Sequence, residues 1–366
     1  MNGHFKEMSK LDAEEMRRIN HRKKIRYGFI MGAFLALLWG FWYVPGSLMW
    51  VIEPFTGLYE AVELTHGEIG AMLVTAVLIS GANALMATIV LLIWNIHLGK
   101  FKFREMKRTI VELRAVQKYL IAAAVFAGPM AVFGSYLATG FAGAAFSAVA
   151  ALAFPVVGTI LTTKFAGQRL SRRAIAGILT IVMGCICIYV IGLFNEIMEG
   201  NMQPMGYVGG LMAVMGWGLE GLVIAKGMDI SEPDAAFHLK MLSETGIWWI
   251  IIIPILALAG IPILEYVIPI FTDPAALLVV TCSGFAFGYC TICYYKAYPM
   301  IGAGRTMGLS ALNAMVATAF LFILTGDVPS WTVLIGGVIV FIGIILMFYE
   351  KQENLESLRG QQEAVE

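Results

Sequence analysis

The chain has 366 residues, 59% of them hydrophobic and only 14% charged, and its formal net charge is zero. A water-soluble domain is nearer half apolar and a quarter charged, so this composition excludes one. The apolar residues lie in runs of about 20 or more, the length at which a helix crosses roughly 30 Å of hydrocarbon. They lack the period-two alternation of barrel strands. The fold class expected is an all-α polytopic membrane protein.

In chain order, a basic segment, 1–27, comes first, with Arg17, Arg18, Arg22, Lys23, Lys24 and Arg26. Its place against a span reads as a topology signal and an anionic-lipid contact, not as a nucleic-acid arm. Ten spans follow, at 28–52, 67–96, 117–138, 140–163, 173–194, 206–226, 237–260, 277–298, 304–324 and 332–349, and a tail, 350–366, closes the chain. The first run is too long for the apolar part of a signal peptide and no small-residue cleavage site follows it. With the N-terminus cytoplasmic, all 25 basic residues fall in cytoplasmic segments or at cytoplasmic helix ends. The outer loops 53–66, 195–205, 261–276 and 325–331 hold only acidic charges, among them Glu53, Glu60, Glu63, Glu265 and Asp327. Basic residues resist translocation, so both termini are placed in the cytoplasm of a cell bounded by this membrane.

The chain matches itself. Residues 28–48 laid over 206–226, an offset of 178, align Gly28, Gly32, Trp39 and Gly40 with Gly206, Gly210, Trp217 and Gly218. From 136 to about 189, an offset of 159 aligns Tyr136, Gly143, Thr159, Gly177 and Gly184 with Tyr295, Gly302, Thr318, Gly336 and Gly343 without gaps. The second and seventh spans do not align convincingly. Chance likeness between apolar runs scatters identities; it does not give two collinear blocks carrying Gly, Trp and Tyr. Halves of five helices, 28–194 and 206–349, joined by an outer linker 195–205, enter the membrane from opposite sides. Such five-plus-five inverted repeats place a substrate site near the midplane and work by alternating access.

The stretch "PVVGTILTTKFAGQRLSRRAIAGILTIVMGCICIYVIG", 155–192, resembles the end of a repeat in EamA-type carriers of the drug/metabolite transporter superfamily. Residues 314–349 repeat it, with Asp327 and Pro329 where the first copy has Gln168 and Leu170. The Trp-Gly pair of each half's first helix is also similar to that family. The resemblance implies a carrier fold over roughly 28–349 and leaves the substrate open, since the family moves amino acids, amines, nucleosides, sugars and drugs.

Glu220 interrupts an apolar run that begins at Gly206. A carboxylate inside a span is costly and marks a functional position by default. It is fifteenth in a helix that enters from outside, so it lies roughly 21 Å from the outer end. Glu244, eighth in the next helix, reaches a similar depth, roughly 10 Å from the inner end. Two carboxylates at matched depth suit one organic cation or a shared proton. The structural alternative pairs Glu244 with Lys240, four residues earlier on the same helix. Lys226 is about 100° off the face of Glu220 and is a poor partner.

Trp39 and Trp217 sit near the midplane, away from the interfacial belt where Trp concentrates. Trp39, Trp42 and Tyr43 share one helix face, and Tyr289 and Tyr295 add aromatics from the eighth span. Aromatic rings above a carboxylate suit an ammonium group; helix packing beside Gly40 and Gly218 is the plainer reading. Asn313, mid-span, is either a substrate ligand or an interhelical hydrogen-bonder. Trp248, Trp249 and Trp331 read as outer packing, and Lys296 and Arg305 as snorkelling residues. Pro129 and Pro155 permit kinks. Cys185, Cys187, Cys282, Cys290 and Cys293 lie in spans and read as small packing residues.

Walker, H-E-x-x-H and G-x-S-x-G motifs are missing, so no enzyme is expected. The function expected is secondary transport of a small polar metabolite, leaning to an amine, a quaternary ammonium or an amino acid. Coupling would be to protons or another ion, without a cofactor or metal. The partners expected are that small-molecule substrate and the lipid bilayer, with no nucleic acid, in a monomer or homodimer. The rival readings are a proton-coupled exporter of drugs or neutral metabolites, and a non-transporting receptor or assembly factor on a carrier fold.

Overall fold

The computed structural model describes residues 2–97, 104, 107, 111, 114–166, 172–199, 204–228, 233–301, 303–326 and 328–348. Most of the basic stretches at 100–118 and 164–173, Asp327, the tail 350–366 and the side chains of Lys226 and Arg305 lie outside the described residues. Every regular element among the described residues is helical.

Eight helices are long and apolar enough to cross a membrane, which fits a multi-pass membrane protein. They are Lys23–Leu48 within α1 (Asn2–Leu48), α2 (Phe55–His97), α3 (Gln117–Ala142), α4 (Ala144–Leu161), Pro204–Ile224 within α6 (Pro204–Met228), α7 (Ala236–Leu258), Pro274–Ala297 within α8 (Pro274–Ile301) and α9 (Gly308–Thr325). The fifth and tenth expected spans are shorter apolar helices, Ile175–Ile191 (α5) and Trp331–Leu346 (α10). They lie against each other through glycines, where a Cβ on Gly184 would stand 2.7 Å from the Gly336 carbonyl oxygen. Backbones this close exchange side-chain volume for van der Waals contact, the usual device where no hydrophobic force drives helices together.

The loop expected at 53–66 is helical. Gly67, at φ 71°, breaks α2 there into a cap and a span. The cap meets a short apolar helix, Pro262–Thr272, and Gly57 sits against Tyr266. Phe55, Leu58, Val62, Ile263 and Ile270 are fully buried beneath the two caps. Pro129 falls in a π-helical turn, Phe126–Val132, of α3, and Pro155 follows a 3-10 turn, Ala151–Ala153, in α4. Proline lacks the N–H of a regular ladder, so local 3-10 and π geometry at these points is expected.

The first helix of each expected half is central. α1 packs on α8 and α9; α6 packs on α3 and α4. α2 packs on α8, and α7 on α3, while α2 meets α7, α4 meets α9 and α5 meets α10. Glycines make the central contacts. A Cβ on Gly40 of α1 would lie 2.6 Å from Val316 Cγ1 of α9, and one on Gly218 of α6 would lie 2.6 Å from Val157 Cβ at α4.

Candidate functional site

A pocket lies between the central helices, with about 400 Å³ between its walls including open solvent. α1 supplies Leu35 and Trp39, α4 Phe154, and α6 Trp217 and Glu220. Lys240 comes from α7, and Phe287, Cys290, Thr291 and Tyr294 from α8. Trp39 and Trp217 meet edge to face at 4.9 Å between ring centroids, and Phe154 lies 5.8 Å from Trp39. Such edge-to-face pairs are favoured by the ring quadrupoles and hold the rings in fixed orientations.

The charged wall is a cluster of four residues from three helices. Lys240 Nζ donates to Glu244 Oε2 at 2.6 Å and lies 3.6 Å from Glu220 Oε1. Tyr295 OH donates to Glu220 Oε1 at 3.3 Å. Lys240 and Glu244 are fully buried, whereas Glu220 keeps 7% of its surface and faces the pocket. The ammonium also stands 5.7 Å from the centre of the Phe287 ring, within cation–π range. Burying an ion costs several kcal/mol unless geometry and hydrogen bonds repay it, so the Lys240 ammonium depends above all on its close partner Glu244.

Two carboxylates share one ammonium. With all three ionised the cluster carries one net negative charge, and Glu244 Oε1 has no hydrogen-bond partner among the described residues. The helical Lys240–Glu244 pair expected from spacing is present. It is not self-contained, because the same ammonium reaches Glu220 on a different helix.

The other expected site residues divide. Trp42 and Tyr43 do not line the pocket. Both are buried behind it, where Trp42 meets Tyr43 and Tyr136 edge to face and Phe287 at a tilt. Tyr295 touches Glu220 from behind the wall. Tyr289 turns away toward Trp94 and Phe285 and does not join the site. Asn313 is buried away from the pocket, its Oδ1 without a partner among the described residues. Trp331 is exposed as expected for the periphery, but Trp248 is buried in the core.

A second polar cluster was missed by sequence reasoning. Asn83 Oδ1 accepts from Trp42 Nε1 at 3.0 Å and from Ser283 Oγ at 2.7 Å, and Tyr136 OH lies 3.1 Å from Ser283 Oγ. Single Asn and Ser residues in apolar helices gave no signal that side chains of four helices would meet there. Among the described residues no group of three or more His, Cys, Asp or Glu side chains is placed to hold a metal ion. The five cysteines are free thiols, and Cys290 lines the pocket.

No family model matches the chain, and no curated protein matches it. A solved structure, described only as the crystal structure of a protein, is similar over 87% of this chain and 96% of that one, with a TM-score of 0.53 and 14% identity. That likeness concerns the fold alone.

Proposed function

We propose that the chain is a secondary carrier of the EamA type, a five-plus-five inverted repeat of ten spans in the cytoplasmic membrane, with both termini cytoplasmic. It would move a small polar metabolite by alternating access.

The architecture is supported by contacts that repeat at the sequence offsets. Gly28 sits against Met300 and Ile301; its counterpart Gly206 sits against Phe141 and Ala142, the counterparts of those two residues. Gly32 meets Leu309 as Gly210 meets Ala150, and Gly40 meets Val316 as Gly218 meets Val157. Gly184 meets Val340 as Gly343 meets Ile181. A chance alignment of apolar runs has no reason to reproduce contacts pair by pair.

The observation that carries the function is the Glu220–Lys240–Glu244 cluster at the wall of an aromatic pocket enclosed by both halves. Its unmatched negative charge suits a proton or a monovalent organic cation, and Trp39, Trp217 and Phe154 suit an ammonium above it. This supports the lean toward an amine, a quaternary ammonium or an amino acid. The rival, an exporter of neutral or apolar compounds with Glu220 as proton carrier alone, draws on Lys240. At 3.6 Å the ammonium already matches part of the Glu220 charge.

Counterflow in proteoliposomes tests the proposal with a primary amine, a quaternary ammonium compound, amino acids and sugars. The account expects exchange of a cationic member. Exchange of neutral members only would favour the rival, and a protein that moves none of them is not this carrier.

A further inference from the structure

This inference rests on the carrier reading above. The sequence leaves α2 and α7 without a common register, and the structure supplies one. Thr88 Oγ1 lies 3.4 Å from the Met241 carbonyl oxygen, and Thr245 Oγ1 donates to the Ala84 carbonyl oxygen at 3.1 Å. The two contacts are reciprocal, and the hydroxyls stand 2.9 Å apart. They set α2 over α7 at an offset of 157, the separation of the two threonines.

In this register the two polar clusters become counterparts. Asn83 corresponds to Lys240, Trp42 to Glu220 and Tyr136 to Tyr295. Trp42 bonds to Asn83 as Glu220 meets Lys240. One cluster is neutral and sealed; the other is ionic and open to the pocket.

The pocket also has a counterpart. At the repeat offsets Glu220, Lys240, Cys290, Thr291, Tyr294 and Phe154 of its lining correspond to Trp42, Asn83, Ala131, Val132, Ser135 and Asn313. All six are buried. Here α3 and α6 touch backbone to backbone. A Cβ on Gly209 would lie 2.5 Å from the Gly134 carbonyl oxygen, where the other half has the larger Met31 and Cys293. Asn83 Nδ2 and Asn313 Oδ1 are nevertheless left without partners among the described residues. Buried polar atoms are nearly always paired, so an unpaired amide atom at each of these two pocket-equivalent positions points to groups that find partners when α3 and α6 part.

We propose that these residues line a second, occluded station, the form the substrate site takes when it faces the side opposite the termini. It holds the same small organic cation by the neutral Asn83 and Asn313 amides and the Trp39 and Trp42 rings, where the present pocket holds it by charge. Sliding α3 from α6 exchanges one station for the other.

Cysteine labelling tests this in the full chain. Ser135→Cys is nearly isosteric and mirrors Tyr294; Val132→Cys is a second variant on the same wall. Native Cys290 reports on the open pocket. A membrane-impermeant maleimide is applied to right-side-out or inverted vesicles, and modification is read peptide by peptide by mass spectrometry. Choline and ethylamine serve as quaternary and primary ammonium probes. The proposal expects the cysteine at 135 or 132 to react from the side opposite the termini, Cys290 to react from the termini side, and either probe to slow both. If both introduced cysteines stay unreactive from the opposite side in vesicles that still exchange substrate, the second station is wrong and the carrier reading stands. Labelling that neither probe slows would overturn the ligand class. Native vesicles that exchange no compound would overturn the carrier reading and this inference together.

Discussion

The Glu220–Lys240–Tyr295 cluster and the Trp42–Asn83–Tyr136 cluster, counterparts under the proposed repeat, obey different rules. In the first, an ammonium binds carboxylates at 2.6 and 3.6 Å, and one carboxylate meets the pocket. In the second, a single amide oxygen accepts two hydrogen bonds, and no charge is present. A neutral network tolerates one orphan such as Asn83 Nδ2, because the cost is only that group's desolvation. An ionic network does not tolerate the loss of its counter-charge, since the remaining ion stays buried. One cluster is charged and meets the pocket; the other is neutral and buried.

Lys240→Met breaks the comparison most severely. It strips both carboxylates of their ammonium, and breaking a buried pair costs about 3–5 kcal/mol. Thermal unfolding in detergent should fall sharply for Lys240→Met and recover much of the loss in Lys240→Met/Glu244→Gln. A loss of the same size in both proteins would show that the unpaired Glu244 carboxylate is not what destabilises Lys240→Met. Asn83→Ala, the neutral counterpart, orphans the Trp42 and Ser283 donors and is expected to cost about 1–3 kcal/mol. If the same melting assay found it as harmful as Lys240→Met, the distinction between the clusters would fail.

Gly40→Ala and Gly218→Ala sharpen the repeat. Each places a methyl 2.6 Å from a valine carbon of the neighbouring helix. Overpacking costs about 1–3 kcal/mol, and the two variants should lose similar stability. Very unequal losses would argue that the two contacts are not equivalent. The smallest effect belongs to the threonines between α2 and α7. Thr88→Val and Thr245→Val should each cost about 0.5–1.5 kcal/mol, a net hydrogen bond, and the double variant less than the sum, because the hydroxyls touch.

The helical, multi-pass character of the chain was legible because apolar length acts locally. The match of Gly28, Gly32 and Gly40 to Gly206, Gly210 and Gly218 coincides with close helix contacts that admit nothing larger. The α2–α7 register was not legible. Asn83 and Lys240, or Ala87 and Glu244, differ completely in type, and only the paired threonines mark the register. Glu220 stood out because charge is rare in hydrocarbon. Lys240 was visible but read as the local partner of Glu244, since sequence spacing cannot show an ammonium reaching across to another helix. Tyr289 was misplaced for a related reason: helical phase gave its depth and not its neighbours. The helical cap at 55–66 gave no apolar run long enough to be noticed.

The most direct measurement is flux driven by an imposed pH gradient in proteoliposomes, comparing native protein with Glu220→Gln. Glu220 lies at the pocket wall and is not the close partner of Lys240, so the variant should fold and melt near the native protein. The account predicts that native protein accumulates an organic cation against its gradient and that the variant loses this coupling. A well-folded Glu220→Gln protein with native coupled flux would contradict it, since the buried carboxylate would then have no part in transport.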